Sequence, residues 1–334
     1  MNDQAFPVQD STLSGPALAG WLDSTFDLPG PVTCRFHRKG ICDTYRADTI
    51  DRRYYLKVYR HGRRSQLDVS EEVRLLRHLS SCGVSVARPI ARRDGEFAGR
   101  LSAPEGDRFA VLYEAAPGTS GDNGDVGRIR AFGEAVGRLH VCADRIKPAY
   151  RRAHLDMKHL VHENLAVIEP FMSHRSADVA LIHRVANDCE QRVCEILPLS
   201  KPEYGICHGD LHGGDVGYDN ADQPVLFDFD SSGYGWRALD IGVFLASDAW
   251  MDTSTEAEEQ RQEKLDVFLA GYESQRVLSD AEREAIQLTP AIRHIFLMGH
   301  VLRYTTLTQG SHWADDRFID WHMAWFNHWA TQRL

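Results

Sequence analysis

The 334-residue chain has no run of 18 or more apolar residues, and its start, MNDQAFPVQD, has neither the basic opening nor the apolar stretch of a secretory leader. A membrane-spanning helix needs about 20 consecutive, mostly apolar residues, and a signal peptide needs an apolar core behind positive charge. The expectation is therefore a soluble, cytoplasmic protein with no membrane partner. Excess positive charge is also missing: 38 Lys and Arg against 48 Asp and Glu give a formal net charge of −10. Binding to nucleic acid by bulk charge needs the opposite balance, so no nucleic-acid partner is expected. The seven cysteines are an odd number and never form C-x-x-C, which fits neither a disulfide framework nor a zinc site. Cys189 and Cys194 lie five residues apart in a helical stretch and point in different directions, so reduced thiols are expected. There is no internal repeat and no low-complexity tract. What is present is a 43% hydrophobic share, ample for a packed core, in a length that suggests about two lobes.

From Pro31 to about Leu112 the chain reads as short extended segments around one helix. RFHRKGICDTYRAD and RRYYLKVYR carry the aromatic and β-branched content of paired strands, and VARPI and RFAVLYEAA supply two more. Between them, Val69, Val73, Leu76 and Leu79 recur at helical period, with Gly83 as a stop. The stretch TSGDNGDVG after Pro117 and Gly118 reads as a loop, and helical periodicity dominates beyond it. One island interrupts the helices: YGICHGDLHGGDVGYDN and PVLFDFDSSGYG, rich in glycine and aspartate, with two short apolar runs. The tail from Leu265 is helical again and ends in a segment bearing Phe318, Trp321, Trp325, Phe326 and Trp329, which is read as core.

The island concentrates the polar groups that loops on a rigid scaffold use for chemistry: His208, Asp210, His212, Asp215, Asp228 and Asp230. Two readings compete. Gly209-Asp210-Leu211-His212-Gly213 matches the GDLHG element of two-metal phosphoesterases, but no G-N-H-E follows it to complete the ligand set. In the other reading Asp210 accepts the proton of an attacking hydroxyl while Asp215 and Asp228 ligate Mg²⁺ on a nucleotide. Mg²⁺ typically takes only one or two carboxylates besides water and phosphate oxygens, so the ligand count suffices. A base, a metal pair and a two-lobed layout describe a phosphotransferase.

The segment His208–Asp230, HGDLHGGD followed by LFDFD, resembles the H-G-D-x-x-x-x-N and D-[FW]-[DE] pattern of the aminoglycoside phosphotransferase and choline kinase superfamily. The resemblance extends over nearly the whole chain, through GYGWRALDIGVFL, FLAGYE and AHLDMKHLVHENL, to the bacterial branch with homoserine kinase type II and stress-response kinases. It implies an α+β, two-lobed protein-kinase-like fold: a small antiparallel-sheet N-lobe over residues 1–112, a hinge at 113–118, and a mostly helical C-lobe over 119–334 carrying the catalytic loop and acceptor site. It further implies that Lys57, on the third expected strand, holds the α and β phosphates of ATP. Glu72 would orient Lys57, preferred over Glu71 because it directly precedes the apolar run VRLLRHL. Gly40 would sit in the phosphate loop KGICDTY, and the backbone of Glu114 and Ala116 would hydrogen-bond adenine. His208 is expected to brace the catalytic loop and Asp240 to accept its backbone N–H groups; His212 is read as a loop residue. Asp156, His159, Trp236 and Trp250 lie in segments that flank the cleft in similar enzymes and are nominated for the acceptor site.

One position departs from the family pattern: Asp215 stands where the family has Asn. A carboxylate adds negative charge beside Asp228 and gives up an NH₂ donor, which favours a firmer hold on a divalent ion, with Mn²⁺ as the alternative to Mg²⁺. The expected activity is ATP-dependent phosphorylation of a small-molecule hydroxyl, on an aminoglycoside or other antibiotic, an amino alcohol, a hydroxy amino acid or a sugar, with Asp210 as base. The alternatives are a stress-response-type Ser/Thr protein kinase and a low-turnover nucleotide-binding pseudokinase.

Overall fold

The computed structural model describes residues 6–118, 124–247 and 251–333. The chain divides into two compact units. The first runs to Pro117 and includes Lys147–Arg151 and Val225–Phe227. Its centre is a five-stranded antiparallel sheet of β1 (Thr33–Lys39), β2 (Asp43–Asp48), β3 (Arg53–Val58), β4 (Ala98–Ala103) and β5 (Gly106–Glu114), in the order β1-β2-β3-β5-β4. Alternation in the sequence sets the register: Tyr45 and Ala47 on β2 and Tyr54, Leu56 and Val58 on β3 turn into one core.

Helix α1 (Gly15–Thr25), which lies before the region read as structured in the sequence, covers that core. Ser14 caps it, and Leu18 and Leu22 join Phe26 beneath the sheet. Helix α2 (Gln66–Ser81) starts at a capping box, in which the Ser65 hydroxyl accepts from the Asp68 N–H at 3.1 Å and Asp68 accepts from the Ser65 N–H at 2.9 Å. Val69, Val73, Leu76 and Leu79 are buried as their spacing requires, each contributing about 1.5–3 kcal/mol. Gly83, at φ +80°, turns the chain away. The VARPI strand does not form: Val86 and Pro89 make only isolated bridges, to Leu226 and Tyr113. Pro89 has no N–H to give a ladder, and the sheet edge goes to β4 instead.

The second unit holds helices α3 (Val126–Ala143), α4 (Glu163–Ile168), α5 (Ser176–Ile196), α6 (Arg237–Ser247), α7 (Thr255–Tyr272), α8 (Asp280–His300), α9 (Thr306–Gln309) and α10 (Asp316–Arg333). The segment VHENLAVIEPF is no single helix: five residues of π-helix precede α4, and a 3₁₀ turn containing Pro170 follows it. Helices α3 and α7 pack closely because Gly133 and Gly271 face each other's backbones; a Cβ on either would collide with a carbonyl oxygen of the other helix. Of the last helix's tryptophans, Trp325 and Trp329 are buried, whereas Trp321 is 49% exposed and not core. The seven cysteines are free, and no helix among the described residues is long and apolar enough to cross a membrane.

The island forms β6 (His154–Leu155), β7 (Tyr204–Cys207), β8 (Val216–Tyr218), β9 (Pro224–Leu226) and β10 (Gly233–Trp236). β10 pairs parallel with β6 and antiparallel with β7, so the loop leaving β7 at Cys207 starts from a hydrogen-bonded platform.

Candidate active site

In the first unit, the sheet and α2 bring Lys57 and Glu72 together. The Lys57 ammonium donates to Glu72 Oε1 at 3.3 Å, with Lys57 9% and Glu72 1% exposed. Two tyrosines missed in the sequence also bond to this carboxylate. Tyr59 Oη donates to Glu72 Oε2 at 2.9 Å and Tyr113 Oη to Oε1 at 3.2 Å. Burial, then the Glu72 charge, drives the Tyr113 phenol well above its ordinary value, so it stays a donor. Glu71 turns elsewhere, to Arg74 at 2.6 Å and the Arg151 N–H at 2.8 Å. The preference for Glu72 came from its place directly before the apolar run VRLLRHL; the tyrosines gave no local signal, because they meet Glu72 only across the sheet.

The loop at Gly40 is tied from beneath. Arg60 donates to the carbonyls of Gly40 at 3.0 Å and Ile41 at 3.1 Å and to Asp43 Oδ1 at 3.0 Å, while fully buried Arg108 takes Asp43 Oδ2 at 2.7 Å. The Gly40 N–H is spent within the turn, on Cys42 O at 3.1 Å. At the hinge, the Glu114 N–H donates to Arg88 O at 2.9 Å and its side chain accepts a two-pronged contact from Arg88, at 2.8 and 3.0 Å. The Ala116 N–H has no partner among the described residues.

In the second unit, Asp240 at the start of α6 clamps the loop after β7. Its two oxygens accept the N–H of His208 at 2.7 Å and of Gly209 at 2.8 Å, and Oδ2 also meets His140 Nε2 at 3.1 Å. His140 Nδ1 reaches Tyr272 Oη at 2.9 Å. Burial, the largest influence, lowers the His140 pKa despite the opposing pull of Asp240, so the ring is neutral; the network then places its proton on Nε2. Burial pushes Asp240 up, but the His140 hydrogen bond and charge, followed by His208, outweigh it and hold the carboxyl below its ordinary range. Gly209 sits at φ +83°, and a Cβ there would strike the Ser231 carbonyl, so the turn into Asp210 requires glycine.

Asp210 therefore stands on an immobilised backbone. Burial would raise its pKa, but the guanidinium of Arg293 from α8, with His212 and His208, overrides this and lowers it. Arg293 Nη2 donates directly to Asp210 Oδ1. This arginine was missed in the sequence: it lies 83 residues away, on a helix whose pattern announces only a core. Asp210, His212 and Asp215 each present one ligand atom, all within 4.8 Å of one another. His212 Nδ1 accepts from the Gly214 N–H at 2.9 Å, leaving Nε2 3.4 Å from Asp215 Oδ2 and 3.9 Å from Asp210 Oδ1. Burial chiefly lowers its pKa, so the imidazole is neutral. His212 thus lies together with Asp210 and Asp215, and Asp228 is outside this trio. Asp228 holds φ +62° and ψ +56°, a left-handed conformation that Asp tolerates better than most residues.

Of the residues nominated for the acceptor, Trp236 lines a pocket with Leu155, Leu160, Val243, Ile292 and Phe296. His159 packs its ring 5.9 Å from Phe296, and Asp156 accepts the His159 N–H at 3.0 Å as a helix cap. Trp250 lies outside the described residues.

Comparison with known proteins places this geometry. A sequence profile described as the Phosphotransferase enzyme family (APH) matches residues 33–278. An uncharacterised Synechocystis protein is 35% identical over 285 residues, 85% of this chain and 76% of its own. Amicoumacin kinase of Bacillus subtilis is 28% identical over 254 residues, 74% of this chain and 73% of its own. Among solved structures, an amicoumacin kinase in complex with AMP-PNP and Ca²⁺ shares the fold at a TM-score of 0.73 and 22% identity, covering 91% of this chain and 94% of its own. The fold is the α+β, protein-kinase-like one, and the chain belongs to the Phosphotransferase enzyme family.

Proposed function

We propose that this phosphotransferase moves the γ-phosphate of ATP to a hydroxyl of a small molecule, with Asp210 as the base. The observation that carries this reading is Asp210 itself: a carboxylate kept ionised by its neighbours, on a loop whose backbone is held by a buried carboxylate. In the step, the acceptor oxygen forms a bond to the γ-phosphorus as the bond from that phosphorus to the β–γ bridging oxygen breaks. The electron pair of the broken bond leaves with ADP, and the hydroxyl proton goes to Asp210. Lys57, oriented by Glu72, holds the α and β phosphates, and the Ala116 N–H and Glu114 backbone receive adenine.

The donor set suits a hard divalent ion. Asp215 offers a carboxylate oxygen with His212 beside it, and Asp228, assigned by the sequence motif as the second ligand, would add another, which fits Mg²⁺ or Mn²⁺. Such an ion supplies charge neutralisation on the phosphates. A relative named amicoumacin kinase supports a small-molecule acceptor over a protein.

The test is ADP formation with Mg²⁺ and with Mn²⁺ across hydroxy amino acids, amino alcohols, sugars, aminoglycosides and a generic protein, with Asp210→Asn as the blank. Acceptor-stimulated turnover that disappears in the blank is the expected result. Nucleotide binding with no transfer to any acceptor would refute the reading and favour a pseudokinase, for which Asp215 in place of Asn is the specific motive.

A further inference from the structure

Arg293 carries more than the electrostatics of Asp210. Its side chain is 9% exposed, and one terminal nitrogen is committed to Asp210 Oδ1. Its Nε–H is buried and has no hydrogen-bond partner among the described residues. Arg92, Arg237 and Arg276 also bury an Nε without a hydrogen-bond partner among the described residues; that of Arg293 is set apart by its place beside Asp210. The planar fork of a guanidinium offers edges that match a carboxylate in a two-pronged contact, and the Nε edge is such a face. Asp210 is the one carboxylate in ion-pair contact with Arg293 among the described residues. Asp240, which lines the same pocket, has its oxygens engaged by His208, Gly209 and His140.

The surroundings limit what can approach. The pocket is partly open, and its empty space, open solvent included, comes to about 420 Å³. Its wall is apolar at Leu155, Trp236, Val243, Ile292 and Phe296, and the guanidinium lies 5.3 Å from the centre of the Phe296 ring. A cationic acceptor reaching for Asp210 would meet the Arg293 charge. An anionic one would complete it.

We propose that Arg293 selects the acceptor, and that the acceptor is a small hydroxy acid whose carboxylate takes the Nε edge of the guanidinium while its hydroxyl reaches Asp210. The short carbon chain lies against the apolar wall. Because Arg293 touches Asp210, the hydroxyl and carboxylate are only a few bonds apart. The proposal rests on the phosphotransfer reading above and narrows its acceptor class.

The experiment compares matched pairs in wild-type protein with ATP: glycerate against glycerol, serine against serinamide, homoserine against homoserine amide. Glycerol phosphate and kanamycin serve as the phosphate-bearing and polycationic arms. ADP formation is read for turnover, and calorimetric titration in the presence of a non-hydrolysable ATP analogue is read for acceptor binding. The expected result is at least a tenfold preference for one or more acids over their neutral partners. Arg293→Gln should abolish that preference through KM, and Arg293→Lys, which keeps the charge but not the fork, should restore it partly; melting curves confirm that each variant folds. A stronger response to glycerol phosphate would assign the Nε edge to phosphate and overturn the carboxylate assignment. Equal or better response to neutral or cationic partners, a preference that survives Arg293→Gln, or no acid bound beside the ATP analogue would overturn the proposal while leaving ATP binding intact. Failure to bind ATP at all would instead bring down the phosphotransfer reading.

Discussion

Replacing Asp240 by Asn exchanges one carboxylate oxygen for an NH₂ group and tests how the Asp210 loop is held. Oδ1 faces the Gly209 N–H, and Oδ2 faces both the His208 N–H and His140 Nε2. All three are donors, so the amide NH₂ must point at one of them in either orientation. Placed at Oδ1 it confronts Gly209; placed at Oδ2 it confronts His208, even if His140 changes tautomer towards Tyr272. One buried N–H loses its acceptor at about 1–3 kcal/mol, and the surviving bonds lose the advantage of an ionised acceptor, about 1 kcal/mol more. The sum, about 2–4 kcal/mol, corresponds to a melting decrease of roughly 5–15 °C for a unit of this size. The pH dependence follows from the sign of the shift. Asp240 is held below its ordinary value of 3.8, so its contribution is present above that value and is lost as pH falls through the lower, folded-state value. Burial chiefly lowers the His140 pKa as well, so its proton uptake on unfolding below the ordinary value costs both proteins stability and does not narrow the gap between them. Differential scanning calorimetry of both proteins should therefore show a constant gap from about pH 7 to about pH 5, narrowing only in stronger acid. A variant melting within about 2 °C of wild type, or a gap that already closes by pH 5, would refute the clamp.

Four further substitutions probe the rest of the site. Glu72→Gln keeps the side chain's shape but puts an amide among Lys57, Tyr59 and Tyr113; the KM for ATP should rise about tenfold, and an unchanged KM would remove Lys57 from phosphate binding. Gly209→Ala should cost more than about 2 kcal/mol, because φ is +83° and the new Cβ meets the Ser231 carbonyl. Gly40→Ala, whose Cβ would lie an ordinary 3.6 Å from Cys42 O, should stay within about 0.5 kcal/mol; urea denaturation of the pair gives the comparison. Asp215→Asn removes one negative charge from the trio with Asp210 and His212 and should raise the Mg²⁺-to-Mn²⁺ rate ratio; an unchanged metal profile would show that Asp215 does not bear on the ion.

What could be read from the chain and what could not divides by the range of the interaction. Lys57, Glu72 and the loop through Asp210 were legible because strand alternation, helix period and glycine-bearing motifs are local. The buried face of α2 follows from residues three and four apart, and Glu72 falls on it beside Val69, Val73 and Leu76. The misses are long-range or depend on backbone chemistry. VARPI has strand composition, yet its proline, Pro89, cannot donate to a ladder, and β4 pairs with β5 despite a sequence, AGRLSA, with little strand character. Tyr59 and Tyr113 reach Glu72 only once β3, β5 and α2 have packed. Arg293 is the strongest case: its neighbours Ala285, Ile286, Thr289 and Ile292 mark a helix face packed into the unit, and an arginine beside that stripe reads as a boundary residue. Only the fold shows that it ends on Asp210, with a second donor edge left unfilled. On the proposed reading, Asp210 and its loop neighbours lie in one contiguous motif because a single loop presents them, whereas a residue that chooses the acceptor can come from any helix that borders the pocket. The part of the function hardest to read from sequence is therefore the acceptor's identity, and the side chain that bears on it lies outside every motif.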